Sequence, residues 1–167
     1  MKLIEERRRL LREMNSVSSR LRILDATEVD INADGTLAPI AGGTEQFDLT
    51  IGSLHWGCDS TTWASTVKKA AERGKIHILG HFDGYLSNYR QEDGRIVARA
   101  LAKSNVAVEL STRYRPVHND FLEAARDAGC VFSLGSDAHW TSNVGNVEEQ
   151  VMLAEALDLP LLDPSHL

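Results

Sequence analysis

Short apolar runs alternate along this chain with stretches in which apolar residues return every three or four positions. Residues 2 to about 20 read as a helix, because Leu10, Met14, Val17 and Leu21 recur at helical spacing among charged residues. Arg7, Arg8, Arg9 and Arg12 then form its solvated basic face. An extended run from Leu21 to Ile31 follows and carries acidic groups at its far end. Asn32-Ala33-Asp34-Gly35 reads as a turn in which Asp-Gly supplies the positive φ.

The same alternation then repeats. Phe47 to Leu54 reads as a strand ending on His55, and Asp59 or Ser60 caps a helix with Trp63, Val67, Ala70 and Ala71 on one face, stopping at Gly74. Lys75 to Gly80 forms a strand that ends on His81, and Ile96, Val97, Ala100 and Leu101 mark the inward face of the next helix. The strand Val106 to Val108 ends on Glu109. Asn119 caps a helix holding Leu122, Ala125 and Ala128, which Gly129 closes before the strand Val131 to Gly135. That strand opens into Ser136-Asp137-Ala138-His139. A last helix starts near Asn146, where Asn146-Val147-Glu148-Glu149 has the form of a capping box, and runs to about Leu157. Alternating strands and helices imply an α/β fold with parallel strands, crossover helices and ligands gathered at the carboxyl ends of the strands.

Those carboxyl ends hold the candidate chemistry. Each of the five expected strands ends on a residue able to bind metal: Glu28, His55, His81, Glu109 and the pair Asp137/His139. In a barrel of parallel strands such ends converge on one mouth. Asp137 and His139 are two apart, which in extended chain puts both on one face, within reach of one ion or two adjacent ions. Carboxylate and imidazole together suit Zn²⁺, Mn²⁺ or Fe²⁺ better than Mg²⁺ or Ca²⁺, which prefer all-oxygen shells. His77 reads as a core residue, and His118 and His166 as surface residues.

Composition narrows the class. A chain of 167 residues with 43% apolar content suits one domain over residues 1–167, and its net charge of −6 argues against a nucleic-acid binder. The start is too charged for a signal peptide, and no apolar run approaches membrane-spanning length, so a cytoplasmic protein without membrane partners is expected. Cys58 and Cys130, the two cysteines, read as reduced, and Cys58, near His55, as a buried or inert thiol rather than a ligand.

A family resemblance rests on these same residues. Glu28-Val29-Asp30-Ile31 with Asp34-Gly35, Gly52-Ser53-Leu54-His55, Leu79-Gly80-His81, Val108-Glu109-Leu110 and Gly135-Ser136-Asp137-Ala138-His139 resemble the later motifs of the polymerase and histidinol phosphatase (PHP) superfamily. The resemblance implies a distorted β/α barrel, up to three bound zinc, manganese or iron ions, and phosphoester hydrolysis through a metal-bound hydroxide. It implies that Glu28 bridges two ions, that His55 and His81 complete one site, that Asp137 serves a second and that His139 binds the third. Glu109 occupies the position of an acidic strand end in the family, either as a ligand or as an acceptor behind a ligating imidazole. Ser111-Thr112-Arg113-Tyr114-Arg115-Pro116 resembles the histidinol-phosphatase loop that carries an arginine toward substrate phosphate. Arg113 and Arg115 both remain open for that role, since either guanidinium could grip a phosphate in a bidentate fork.

The chain also departs from the family. Family members begin with a strand carrying His-x-His and a second ending in Asp-His, and neither motif occurs here. An incomplete barrel of about five β/α units is therefore expected, belonging to a fragment or to a short form with one or two ions. An incomplete barrel would also expose an apolar edge, so association between copies is expected. Three functions follow from the resemblance: a phosphoesterase acting on a small phosphorylated metabolite, a non-catalytic module with a partial metal site, or a polymerase-associated nuclease.

Overall fold

The computed structural model describes residues 2–17 and 21–163; His166 and the expected continuation of the first helix to residue 20 lie outside them. Five parallel strands lie side by side in chain order: β1 (Ala26–Asp30), β2 (Leu49–Ser53), β3 (Ile78–Leu79), β4 (Ala107–Ser111) and β5 (Phe132–Gly135). Around them run α1 (Lys2–Val17), α2 (Ser60–Glu72), α3 (Gln91–Lys103), α4 (Asn119–Ala128) and α5 (Glu148–Ala156). Strands in unbroken sequential order, joined by crossovers of one hand, place the connecting helices on one face. The sheet is thus one sector of a β/α barrel, as the alternation predicts.

The strand register sorts side chains between the two faces. Ile31, Leu79, Val108, Leu110 and Phe132 face the helices and meet Trp63, Val67, Val97, Leu101, Phe121 and Leu122 in the main core. The alternate positions face the concave side. There Leu49, Ile78 and Ala107 form a small second core with Ile51, Val131 and Leu162. Glu28, Asp30, Ser53, Gly80, Glu109 and Gly135 lie on that same side, nearer the carboxyl ends, so two-residue periodicity puts every candidate ligand of β1 and β4 on one surface.

Local signals explain most boundaries. Asp59 caps α2 by accepting from the Thr62 N–H at 2.8 Å, and Gly129 closes α4 in the left-handed region with φ 94°. Gly35, with φ 79°, completes the turn after β1, where Ile31 and Leu37 form an antiparallel bridge. A 3₁₀ turn at Thr44–Gln46 stands in the β1–β2 crossover in place of a helix. Beyond β5, Phe132 bridges to Leu161. No helix among the described residues is long and apolar enough to cross a membrane.

Several sequence expectations are corrected. The apolar stripe of α1 does not pack on the body: Leu10, Met14 and Val17 are 45%, 50% and 87% exposed, and Leu21 lies beyond the helix and is exposed. Arg7 and Arg8 are half-buried instead of solvated, because both approach buried Asp25, Arg7 Nε at 3.0 Å from its carboxylate. The extended run before β1 begins pairing only at Ala26. His77 is exposed and outside the core, its Nδ1 accepting from the Thr50 N–H at 3.0 Å. His118 is half-buried and stacked on Tyr89, and it precedes α4 at the cap position expected of Asn119. Ile96 faces solvent. The last helix starts at Glu148 with no side-chain cap, so the capping box does not form.

Candidate metal centre

Glu28 at the middle of β1, His55 just after β2 and His81 just after β3 bring one carboxylate oxygen and two imidazole nitrogens within 4.8 Å of one another. His81 Nε2 is 3.2 Å from Glu28 Oε1 and 3.2 Å from His55 Nε2, and His55 Nε2 is 3.7 Å from the same Glu28 oxygen. Two nitrogens bound tetrahedrally at zinc distances would stand about 3.3 Å apart. The donor set therefore fits a transition ion in spacing and in chemistry.

The two imidazoles are held in different ways, His55 through its ring and His81 through its main chain. His55 Nδ1 lies 2.7 Å from Asp30 Oδ1, and with its proton donated to that carboxylate it keeps the Nε2 lone pair for a ligand. His81 is almost wholly buried, and its Nδ1 has no hydrogen-bond partner. Its main chain has φ 24°, a region that non-glycine residues rarely occupy. Glu109 Oε2 accepts from the His81 backbone N–H at 2.8 Å, so Glu109 contacts the main chain of His81 and not its imidazole.

The charges respond to this packing. A hydrogen bond from His81 holds Glu28 at about 2, against the opposing effect of burial. Burial pulls the His81 pKa down, but the hydrogen bond and charge of Glu28 outweigh it and the net shift is upward. Burial pushes Glu109 above the usual carboxylate range. Without a metal the proton between His81 and Glu28 thus stays on the imidazole, and an ion would replace it.

Asp137 and His139 stand beside this cluster as a separate pair. Asp137 has φ 43°, and His139 turns its Nδ1 onto the Asp137 carbonyl at 2.9 Å while remaining 56% exposed at the side chain. Glu28, Glu109 and Asp137 nevertheless line one cavity of about 280 Å³, floored by Leu49, Ile51 and Ile78. Arg113 Nε lies 3.8 Å from Asp137 Oδ2, and both residues line a second, polar cavity of about 230 Å³ with Thr112, Ser136, Asn143 and Asn146. Arg115 points elsewhere, paired with Glu149 at 2.8 Å.

Two aromatic residues complete the wall. The Tyr114 ring is 4.5 Å from the His81 ring, Tyr85 packs edge-on against His55, and the two phenol oxygens are 3.1 Å apart. The loops that carry them are joined by buried Asp83, whose carboxylate accepts from the Val117 N–H at 2.8 Å and the His118 N–H at 3.3 Å. The roles of Tyr85, Tyr114, Asp83 and Asp30 were missed in the sequence. Only Asp30 carried a signal, since it follows Glu28 by two residues on a strand. Both cysteines are buried, with their pKa values raised chiefly by burial, as expected of inert thiols.

No protein-family model matches the chain. The probable phosphatase YcdX of Shigella flexneri is 31% identical over 153 residues, covering 83% of this chain and 61% of the relative. YcdX of Escherichia coli K12 is 30% identical over 152 residues, covering 83% and 60%. The chain is homologous to YcdX, a PHP-family protein. It spans about three fifths of the length of these curated relatives. The likeness to YcdX thus extends over most of this chain.

Proposed function

We propose that this chain carries the ion-binding part of a PHP-type phosphoesterase that acts on a small phosphorylated metabolite. The observation that supports it most directly is the convergence of Glu28, from the middle of β1, with His55 and His81, which follow the ends of β2 and β3. Their donor set suits zinc, manganese or iron, and homology to a probable phosphatase fits the same chemistry. A bound ion would supply Lewis acidity toward a phosphoryl oxygen and an activated water.

The chain's own residues would do the rest. Glu28, His55 and His81 hold the first ion; Asp137 and His139, with Glu109 beneath them, form the polar mouth where a second would bind. Arg113 takes the substrate phosphate. Its place beside Asp137 supports this choice, whereas Arg115 is engaged by Glu149 on an exposed surface. The polar lining next to Arg113 favours a hydrophilic alcohol as the leaving portion of the substrate. Nucleic acid is a poor candidate for a chain of net charge −6. A cytoplasmic setting suits a metabolite phosphatase with two buried, unpaired thiols.

A second reading has its own observation. Asp137 and His139 do not join the three converging ligands, which favours a module that holds one ion and turns over little by itself. Elemental analysis and aryl-phosphate hydrolysis, each with and without added Mn²⁺ or Zn²⁺, separate the two readings. Turnover that rises with metal and disappears in Asp137→Asn supports the phosphoesterase. Stoichiometric metal without turnover supports the module, and metal content unchanged in His55→Ala/His81→Ala would exclude both.

A further inference from the structure

We propose that Glu109 is a positioning residue that holds His81 in its ligating conformation, and that Gly135 is a glycine because it must house the Glu109 carboxylate. The inference rests on the reading of Glu28, His55 and His81 as a metal site and concerns what keeps that site in shape.

His81 must leave β3 abruptly for its ring to turn toward Glu28. It does so at φ 24°, where an ordinary side chain is strained, so the conformation needs support from its surroundings. Glu109 supplies it through the bond from the His81 N–H to Oε2. Gly80, the residue before, is fixed by its own N–H to the Gly52 carbonyl at 2.9 Å, so two successive N–H groups, one held by a carbonyl and one by the Glu109 carboxylate, fix the entry to the bend.

Burying a carboxylate with so few partners is costly, and the neighbouring strand is shaped to accept it. Glu109 pairs in register with Ser133, and its side chain reaches diagonally to Gly135. A Cβ added at Gly135 would overlap Glu109 Oε1, Cδ and Cγ. Gly135 does not have positive φ, so its backbone conformation does not call for glycine. Space for Glu109 is what calls for it. Alanine at Gly135 should therefore act only through Glu109, displacing the carboxylate and releasing the His81 N–H.

The test uses Glu109→Ala, Glu109→Gln, Gly135→Ala and the double variant Glu109→Ala/Gly135→Ala, with two readouts. The first is exchange of the His81 amide proton, followed by NMR in metal-free protein. The second is Co²⁺ affinity, measured by chelator competition. Glu109→Ala and Gly135→Ala should each expose the His81 amide to exchange and weaken Co²⁺ binding by about 10- to 100-fold, the usual effect of losing an outer partner of a ligand. Glu109→Gln keeps an oxygen acceptor of the same length and should stay within a few fold of wild type. The double variant should bind no worse than Glu109→Ala, because the new methyl enters space the carboxylate has left.

An unchanged His81 amide in Glu109→Ala would overturn the proposal. So would a Glu109→Gln variant as weak as Glu109→Ala, since Glu109 would then act through its charge. Additive losses in the double variant would overturn the role given to Gly135. If Glu109→Ala does not fold, Gly135→Ala and Glu109→Gln decide the matter. A wild-type protein that binds no Co²⁺ would end the metal reading, while amide exchange would still judge the brace.

Discussion

Asp30 Oδ1 and His55 Nδ1 lie 2.7 Å apart across adjoining strand ends, which fixes the imidazole with its other nitrogen toward Glu28 and His81. Asp30→Ala should lower metal affinity by about 10- to 100-fold, and Asp30→Asn by less, since an amide oxygen can still accept the Nδ1 proton. Titration with Zn²⁺ against a chromophoric chelator measures both. Affinity equal to wild type in Asp30→Ala would show that His55 orients itself.

The shifts at Glu28 and His81 oppose each other in their effect on stability. Glu28 is lowered from 4.5 to about 2, so its contribution is present above 4.5 and is lost as the pH falls toward 2. His81 is raised above 6.5, so its contribution is present below 6.5 and is lost as the pH rises through the folded value. Metal-free protein should therefore gain most from the pair between about pH 4.5 and pH 6.5, and Glu28→Gln should flatten that optimum. Melting curves in chelator across this range test it. Metal affinity should run the other way and increase with pH, because the ion competes with the His81 proton.

The two arginines of the 111–116 loop should separate cleanly. Arg113→Ala should raise KM for a phosphorylated substrate, or the inhibition constant of inorganic phosphate, by at least about tenfold while metal content stays unchanged. Arg115→Ala, which removes only an exposed ion pair with Glu149, should change either quantity little. Equal effects would place the phosphate elsewhere.

Association between copies is expected from α1, which presents Leu3, Leu10, Met14 and Val17 to solvent. Light scattering over a dilution series should show a concentration-dependent increase in mass, reduced in Leu10→Glu/Met14→Glu. A monomer of constant mass throughout would end this expectation.

The five strand ends could be read from the sequence because a parallel sheet converts position along the chain into position at one mouth. Glu28, His55, His81, Glu109 and Asp137 do stand near one mouth, although Glu28 and Glu109 lie in the middle of β1 and β4 and not at the ends that the sequence predicts. The N-terminal helix misled for a physical reason. Its periodicity is helical, but periodicity does not say which face is covered, and two arginines drawn to buried Asp25 turned the leucines outward. His77 interrupts an apolar run and so reads as internal, yet its main chain bonds to both neighbouring strands while its side chain stays exposed, the ring accepting from the Thr50 N–H. Tyr85 and Tyr114 could not be assigned, since their meeting depends on how two loops fold against each other.

That meeting is secured by Asp83, which ties the loop after His81 to the backbone at Val117 and His118. The tie makes the tyrosine side of the mouth a single rigid jamb. In the proposed phosphoesterase, substrate and product would then pass beside residues 138–146, which lie exposed and make few bonds to the body. The rate at which that flank moves, and not the stiffness of the ligand cluster, would set how quickly the site can be emptied.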